Sequence, residues 1–210
     1  MTEFIQGPLW TIATTIFLIG VVWRITTIMS CKVSGELSRT RGTAGVGSIK
    51  AIFGRFVPRK ETISSGRFQM ITGYMFHLGL FALLFFAAPH VEFLKQRYLG
   101  FGWTPMPRWA FVIAAELAFA GLILLWLRRI MHPVTRLLST LDDQLASGLT
   151  FVAMFTGCLA LFESYTQLRV LHLFTVELLL IYFPFSNLMH AFTFIISRGS
   201  TGTRAGRRGV

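Results

Sequence analysis

Residues 172–190 read "HLFTVELLLIYFPFSNLMH". The run is almost wholly apolar, with a histidine at each end and one carboxylate, Glu177, inside. Roughly 20 such residues are what a helix needs to cross the hydrocarbon of a bilayer. Ionisable side chains are costly there and mark a functional site by default, so two imidazoles 18 residues apart need an account.

The rest of the chain has the same character. Of its 210 residues 53% are hydrophobic and 14% charged, and the mean hydropathy is +0.61. This is a membrane profile. Apolar blocks at about 8–29, 69–88, 109–128, 147–166 and 170–196 predict an all-α integral membrane protein, a bundle of five transmembrane helices. The first block has no basic residues ahead of it and no small-residue cleavage site, so it is expected to remain in the mature protein.

Net charge is +11, yet the basic residues are sorted by loop as membrane topology sorts them. Arg24, Lys32, Arg39, Arg41, Lys50, Arg55, Arg59, Lys60 and Arg67 surround the first connection. Arg128, Arg129 and Arg136 surround the third, and Arg198, Arg204, Arg207 and Arg208 lie in the tail. Only Lys95, Arg97, Arg108 and Arg169 fall on the other side. The pattern predicts an N-terminus outside and a cytoplasmic C-terminus, with no nucleic-acid partner.

Residues 1–198 then form one membrane domain, with a cytoplasmic loop at 30–68 and a basic tail at 199–210 that composition marks as disordered. Within the loop, "SIKAIFGRFVPRK" suits a short amphipathic turn of helix in the headgroup plane, facing anionic lipid. A docking loop for a cytoplasmic partner fits it equally.

The five histidines can be placed by depth. The second span runs outward, with His77 in its inner half and His90 at its outer end; the fifth runs inward, with His172 outer and His190 inner. In one straight helix 18 residues are five whole turns, so His172 and His190 would share a face about 27 Å apart. Depth pairs His77 with His190 and His90 with His172, an arrangement that suits bis-histidine ligation of haem iron between helices. A single histidine of this kind is otherwise an interfacial or hydrogen-bonded core residue. His77 and His90 are 13 residues apart, about 140° of rotation in a straight helix, and Pro89 is expected to re-aim His90. Gly73 and Gly79 leave room for a flat ligand beside His77 or serve close helix packing. His132, before Pro133, reads as interfacial or part of a docking surface. With Cys31 and Cys158 as the only cysteines and no C-x-x-C-H, any haem is b-type.

These residues also carry a family resemblance. "RVLHLFTVELLLIYFPFSNLMH" resembles the last helix of the nitrate reductase gamma-subunit family of membrane cytochromes b, where two histidines 18 apart bracket an "FPFS" turn. "MFHLGLFALLFFAAPH" is similar to that family's second helix, and "LLWLRRIMHPVTRLLSTLDDQL" to the segment joining its third and fourth. The 13-residue spacing is more similar to the branch found in dissimilatory sulfite reductase-associated and transmembrane redox complexes of sulfur-metabolising bacteria.

The resemblance implies a quinone-reactive dihaem cytochrome of anaerobic respiration in a bacterial or archaeal inner membrane, the electron-transfer subunit of a larger oxidoreductase. Its haem b axial ligands would be His77, His190, His90 and His172. It would exchange electrons between menaquinone or ubiquinone and a cytoplasmic iron–sulfur subunit like the heterodisulfide reductase catalytic subunit, in some complexes with a periplasmic multihaem cytochrome c. Quinone and proton candidates are Lys95, Arg97, Glu163 and Tyr165, with Glu177 a further one; ion pairs of Glu163 with Arg169 and of Glu92 with Lys95 are the structural alternative. Glu116, in the third span, has a bundle hydrogen bond, a haem propionate or a water path as its options. A haem-free membrane anchor or a small transporter would share the spans, although no internal repeat of the transporter kind is present.

Overall fold

The computed structural model describes residues 2–31, 39–57, 60–161 and 166–209. The elements among the described residues are all helical, without a strand. A first turn at Thr2–Phe4 leads into a π-helical turn, Ile5–Leu9, which holds Pro8. Proline lacks the N–H of a regular turn, and a wider turn accommodates it. The longer helices follow: α1 (Trp10–Ser30), α2 (Ala44–Gly54), α3 (Lys60–Phe86), α4 (Ala88–Leu94), α5 (Arg108–Met131), α6 (Pro133–Leu138), α7 (Leu141–Ala160), α8 (Thr166–Tyr182) and α9 (His190–Arg208).

Four helical stretches among the described residues are long and apolar enough to cross a membrane: Thr2–Ser30, Gly66–Phe86, Arg108–Met131 and Thr166–Phe185. The protein is therefore an all-helical, membrane-embedded chain. α7 has the length, but its first turn holds Asp142, Asp143 and Gln144, and it ends at Ala160 where the sequence predicts a span to 166.

Contacts divide the chain into two units, residues 60–140 and residues 1–59 with 141–210. In the first, α3 and α5 pack antiparallel through small residues. A Cβ at Gly79 would come within 2.6 Å of the Ala114 carbonyl, and one at Gly121 within 2.5 Å of the Phe76 nitrogen. Ala118 is fully buried and Thr72 nearly so. Dispersion between closely approaching backbones is what holds helices together in lipid, where no hydrophobic force acts between them. Gly79 is thus a packing residue and not the ligand space offered for it, whereas Gly73 has open space within 4 Å.

In the second unit α1 and α8 run side by side in the same direction. The Ile5–Leu9 turn lies along α8, while further down Phe17 packs on Phe183 and Gly20 on Pro184, just beyond the end of α8. α7 lies antiparallel to α8 along its whole length, with Thr156 beside Thr175 at one end and Asp142 beside Tyr182 at the other.

The predicted continuous helix over 170–196 is corrected here. α8 stops at Tyr182; two short 3-10 turns, Phe183–Phe185 and Asn187–Met189, flank an extended Ser186, and α9 begins at His190. Pro184 removes a backbone donor and its ring would meet the preceding turn of a straight helix. The break is held from α7: the Tyr182 hydroxyl donates to the Asp142 carboxylate, the Asn187 N–H donates to Asp142 Oδ2 at 2.8 Å, and Asn187 Nδ2 donates to Asp143 Oδ1 at 3.2 Å. Asp142→Ala is expected to destabilise the chain by about 2 kcal/mol, the usual worth of hydrogen bonds to a charged acceptor. Thermal melting in detergent, followed by tryptophan fluorescence, measures it, with Tyr182→Phe costing less.

The tail departs from expectation too. Residues 199–208 are not a disordered segment but the last half of α9, packed antiparallel on α2 through Gly199, Gly202 and Gly206. A Cβ at Gly202 would collide with the Gly47 carbonyl and the Ala51 side chain. Gly202 and Gly206 stand four apart, the spacing of close-packed membrane helix pairs. Composition marks the segment as solvated because its glycines count against order; a partner helix turns them into contact surface.

Candidate functional site

His77 stands in mid-α3, half-buried, and its ring lies edge-on to Phe76 with Phe81 one turn on. Its Nδ1 is 2.8 Å from the Gly73 carbonyl oxygen. A carbonyl only accepts, so Nδ1 carries a proton, which in a neutral ring is the tautomer with the lone pair on Nε2.

His90 belongs to a different helix, as Pro89 leads one to expect. The break falls at Ala87, which is extended (φ −65°, ψ 133°), and Pro89 sits in the first turn of α4. The His90 Nδ1 reaches back across the break to the Leu83 carbonyl at 2.9 Å. That oxygen also accepts the Ala87 N–H at 3.3 Å, so the ring is its second partner. The same tautomer results. The loop ahead of α5 folds over the same helix end: Trp103 Nε1 donates to the Phe85 carbonyl at 2.8 Å, and the Met106 N–H to that of Phe86 at 2.8 Å. Phe85, Phe86, Trp103 and Thr104 line an open apolar cleft of about 520 Å³ there.

In the other unit, His190 opens α9 and is exposed, its Nδ1 donating to the Asn187 carbonyl at 2.7 Å. His172, in the second turn of α8, has its Nδ1 3.3 Å from the Thr156 hydroxyl, which also contacts Thr175 Oγ1 at 2.8 Å. A hydroxyl donates or accepts, so the proton of His172 is not assigned by its partner. Gly157 makes room for the ring: a Cβ there would lie 3.0 Å from its Cε1. His172 and His190 sit on separate helices, so five uninterrupted turns do not relate them, and the shared-face argument is withdrawn in favour of each ring's own surroundings.

Among the quinone candidates, Lys95 pairs with Glu92 at 3.8 Å on the exposed surface, and Gln96 donates to the same carboxylate at 2.6 Å. This is the ion pair offered as its structural alternative, of a kind worth little in stability. Arg97 is exposed on the π-helical turn Lys95–Leu99 that follows α4. Glu163 and Tyr165 lie outside the described residues. Glu116 is on an exposed face of α5, and His132 is exposed and extended between α5 and α6.

Sequence reasoning gave Glu177 too little weight. It is fully buried, and neither carboxylate oxygen has a hydrogen-bond partner among the described residues. The parallel course of α1 and α8, with Gly20 at Pro184, puts Glu177 level with Ala13, which is also fully buried. The available signal was the heptad that separates Glu177 from Pro184 and Ala13 from Gly20.

No family model matches the chain. It is 32% identical over 137 residues to a protein of Nitratidesulfovibrio vulgaris that carries no more specific name than "Protein". The similarity covers 64% of this chain and 60% of that relative. The chain therefore spans under two thirds of the relative's length, and the relative's name assigns neither of them an activity.

Proposed function

We propose that this chain is a dihaem b-type cytochrome, the membrane subunit of a respiratory complex that exchanges electrons between quinone and a cytoplasmic iron–sulfur partner. The observation that carries the proposal is the side-chain bonding of the candidate ligands. His77, His90 and His190 each donate Nδ1–H to a backbone carbonyl, at 2.8, 2.9 and 2.7 Å. This outer hydrogen bond fixes the tautomer and orients the ring of a metal-ligating histidine, leaving Nε2 as the ligating atom. The residues present thus fit a haem iron, which when bound supplies reversible one-electron transfer within the apolar bundle. Depth in the sequence pairs His77 with His190 and His90 with His172.

Five spans with an external N-terminus are part of the same proposal. Consecutive spans alternate in direction, so a first and a last span that run parallel require an odd number. α1 and α8 are parallel, and α7 accompanies α8 along its whole length in the opposite sense. A helix of 20 residues is about 30 Å long, and counting α7 makes five. The acidic first turn of α7 is then at the cytoplasmic boundary, where its carboxylates hold the break before His190.

For the quinone the proposal takes the cleft lined by Phe85, Phe86, Trp103 and Thr104, with Arg97 the candidate cation ahead of its Trp103 side. Apolar walls and few polar groups suit a quinone ring. Glu177 is the buried carboxylate available to hold a proton in the apolar interior. The iron–sulfur partner, and the periplasmic cytochrome c of some related complexes, follow from the family resemblance.

Haem per polypeptide decides the matter. A pyridine haemochrome assay on the detergent-purified subunit, with its dithionite-reduced spectrum, is expected to give two b haems per chain. A colourless protein would sink the proposal and return the chain to an anchor or transporter.

A further inference from the structure

We propose that α2 and α9 form a platform on the bilayer surface, with an apolar stripe of α2 in the acyl boundary and the pair's basic residues on anionic phospholipid headgroups. α2 is an apolar helix of 11 residues. At about 17 Å it is too short to cross a bilayer.

Its two faces are both non-polar, for different reasons. Gly47 and Ala51 meet Gly202 of α9, and Ser48 and Ile52 meet Gly199, so this face is used up by helix packing. On the opposite face Val46, Ile49 and Phe53 recur at the spacing of one helical stripe, continued by Val57 just past the helix end. They are 64%, 62%, 67% and 73% exposed.

The charge of the two helices and their flanking residues has one sign. Across residues 39–57 and 190–209 stand Arg39, Arg41, Lys50, Arg55, Arg198, Arg204, Arg207 and Arg208, and no Asp or Glu. An exposed apolar stripe on a helix pair whose charges are all cationic suits the headgroup region of an anionic leaflet. A soluble acidic partner would be met by the charges but would not account for the stripe.

The platform is also joined to a spanning helix. Phe192 packs against Phe17 of α1 at 6.0 Å between ring centroids, and Phe56 against Phe194 at 6.0 Å. The Arg198 guanidinium lies 4.6 Å over Phe56 and 5.3 Å over Phe194 and donates to the Ile52 carbonyl at 3.3 Å. The end of α2 next to these rings is therefore tied through α9 to α1. No haem enters the argument, so it stands or falls apart from the electron-transfer proposal.

Spin labels test it in the full-length chain. On a Cys31→Ser, Cys158→Ser background, labels are placed singly at Val46→Cys, Ile49→Cys and Phe53→Cys, with Thr201→Cys on the exposed side of α9 as the control. The chain is reconstituted into phosphatidylcholine vesicles with and without about one-third phosphatidylglycerol. With phosphatidylglycerol, the ratio of collision with dissolved oxygen to collision with a water-soluble nickel chelate should be severalfold higher at the three stripe positions than at Thr201→Cys. That excess should fall in phosphatidylcholine alone, or when Lys50→Glu and Arg55→Glu are combined. Lys50 and Arg55 are exposed, so an unchanged helical circular dichroism signal separates loss of lipid contact from loss of folding. Labels that are water-exposed in both vesicles would overturn the proposal in favour of a protein-docking face. Labels equally embedded in both would overturn its dependence on anionic lipid.

Discussion

Alanine at His77 or at His190 is expected to leave one b haem per chain in place of two. In the proposed pairing each imidazole supplies one of two axial bonds to an iron, and its Nδ1–H bond to a backbone carbonyl orients the ring for that bond. The two variants should lose the same haem: the remaining reduced alpha band and its midpoint potential should agree between them. His90→Ala and His172→Ala should remove the other haem, and His132→Ala should remove none. Full haem content after either His77→Ala or His190→Ala would refute the pairing while leaving a haem-binding role open to test through the other two histidines. A pyridine haemochrome assay with a redox titration reads every one of these outcomes.

Leucine at Gly121 should cost about 3 kcal/mol of stability, at the upper end for forcing extra atoms into a packed interior. The first added carbon would already meet the Phe76 nitrogen at 2.5 Å and the Thr72 carbonyl at 2.7 Å. Both are backbone atoms inside a helix and have no rotamer with which to move aside. α3 and α5 must therefore separate. Gly79→Leu meets the Ala114 carbonyl and the Ala118 nitrogen and should cost as much. Gly73→Ala is the control, since nothing lies within 4 Å of its added carbon. The melting temperature in detergent should fall by roughly 10 °C for either leucine variant and stay within a degree or two for the control. His77 follows Phe76 directly, so separation of the helices moves the ligand, and haem content should fall along with stability.

The histidines show where sequence reasoning succeeds and where it stops. That His90 leaves the line of α3 was legible, because Pro89 restricts the residue before it. The break instead falls at Ala87, and the reach of the ring back to the Leu83 carbonyl was not legible, since it depends on how the chain turns at the break. For His172 and His190 the straight-helix calculation failed, although Pro184 stands between them in plain view. A proline in a membrane helix is compatible with a kink that preserves the helix or with a full stop, because neighbouring groups re-satisfy the freed backbone. Here Asp142 and Asp143, some 40 residues away in sequence, supply those groups and hold a full stop.

The sequence by itself determined that this chain is a helical membrane protein and roughly where its four long apolar helices lie. This is a property of single segments: hydrocarbon thickness sets the length of an apolar run. Only the tertiary structure decided that the basic tail is a helix, that Gly79 and Gly121 are contact surface, that Glu177 is sealed from solvent, and that the last apolar run is two helices. Each of these depends on what a second, distant segment places against the first, and the composition of a single segment carries no record of its neighbour.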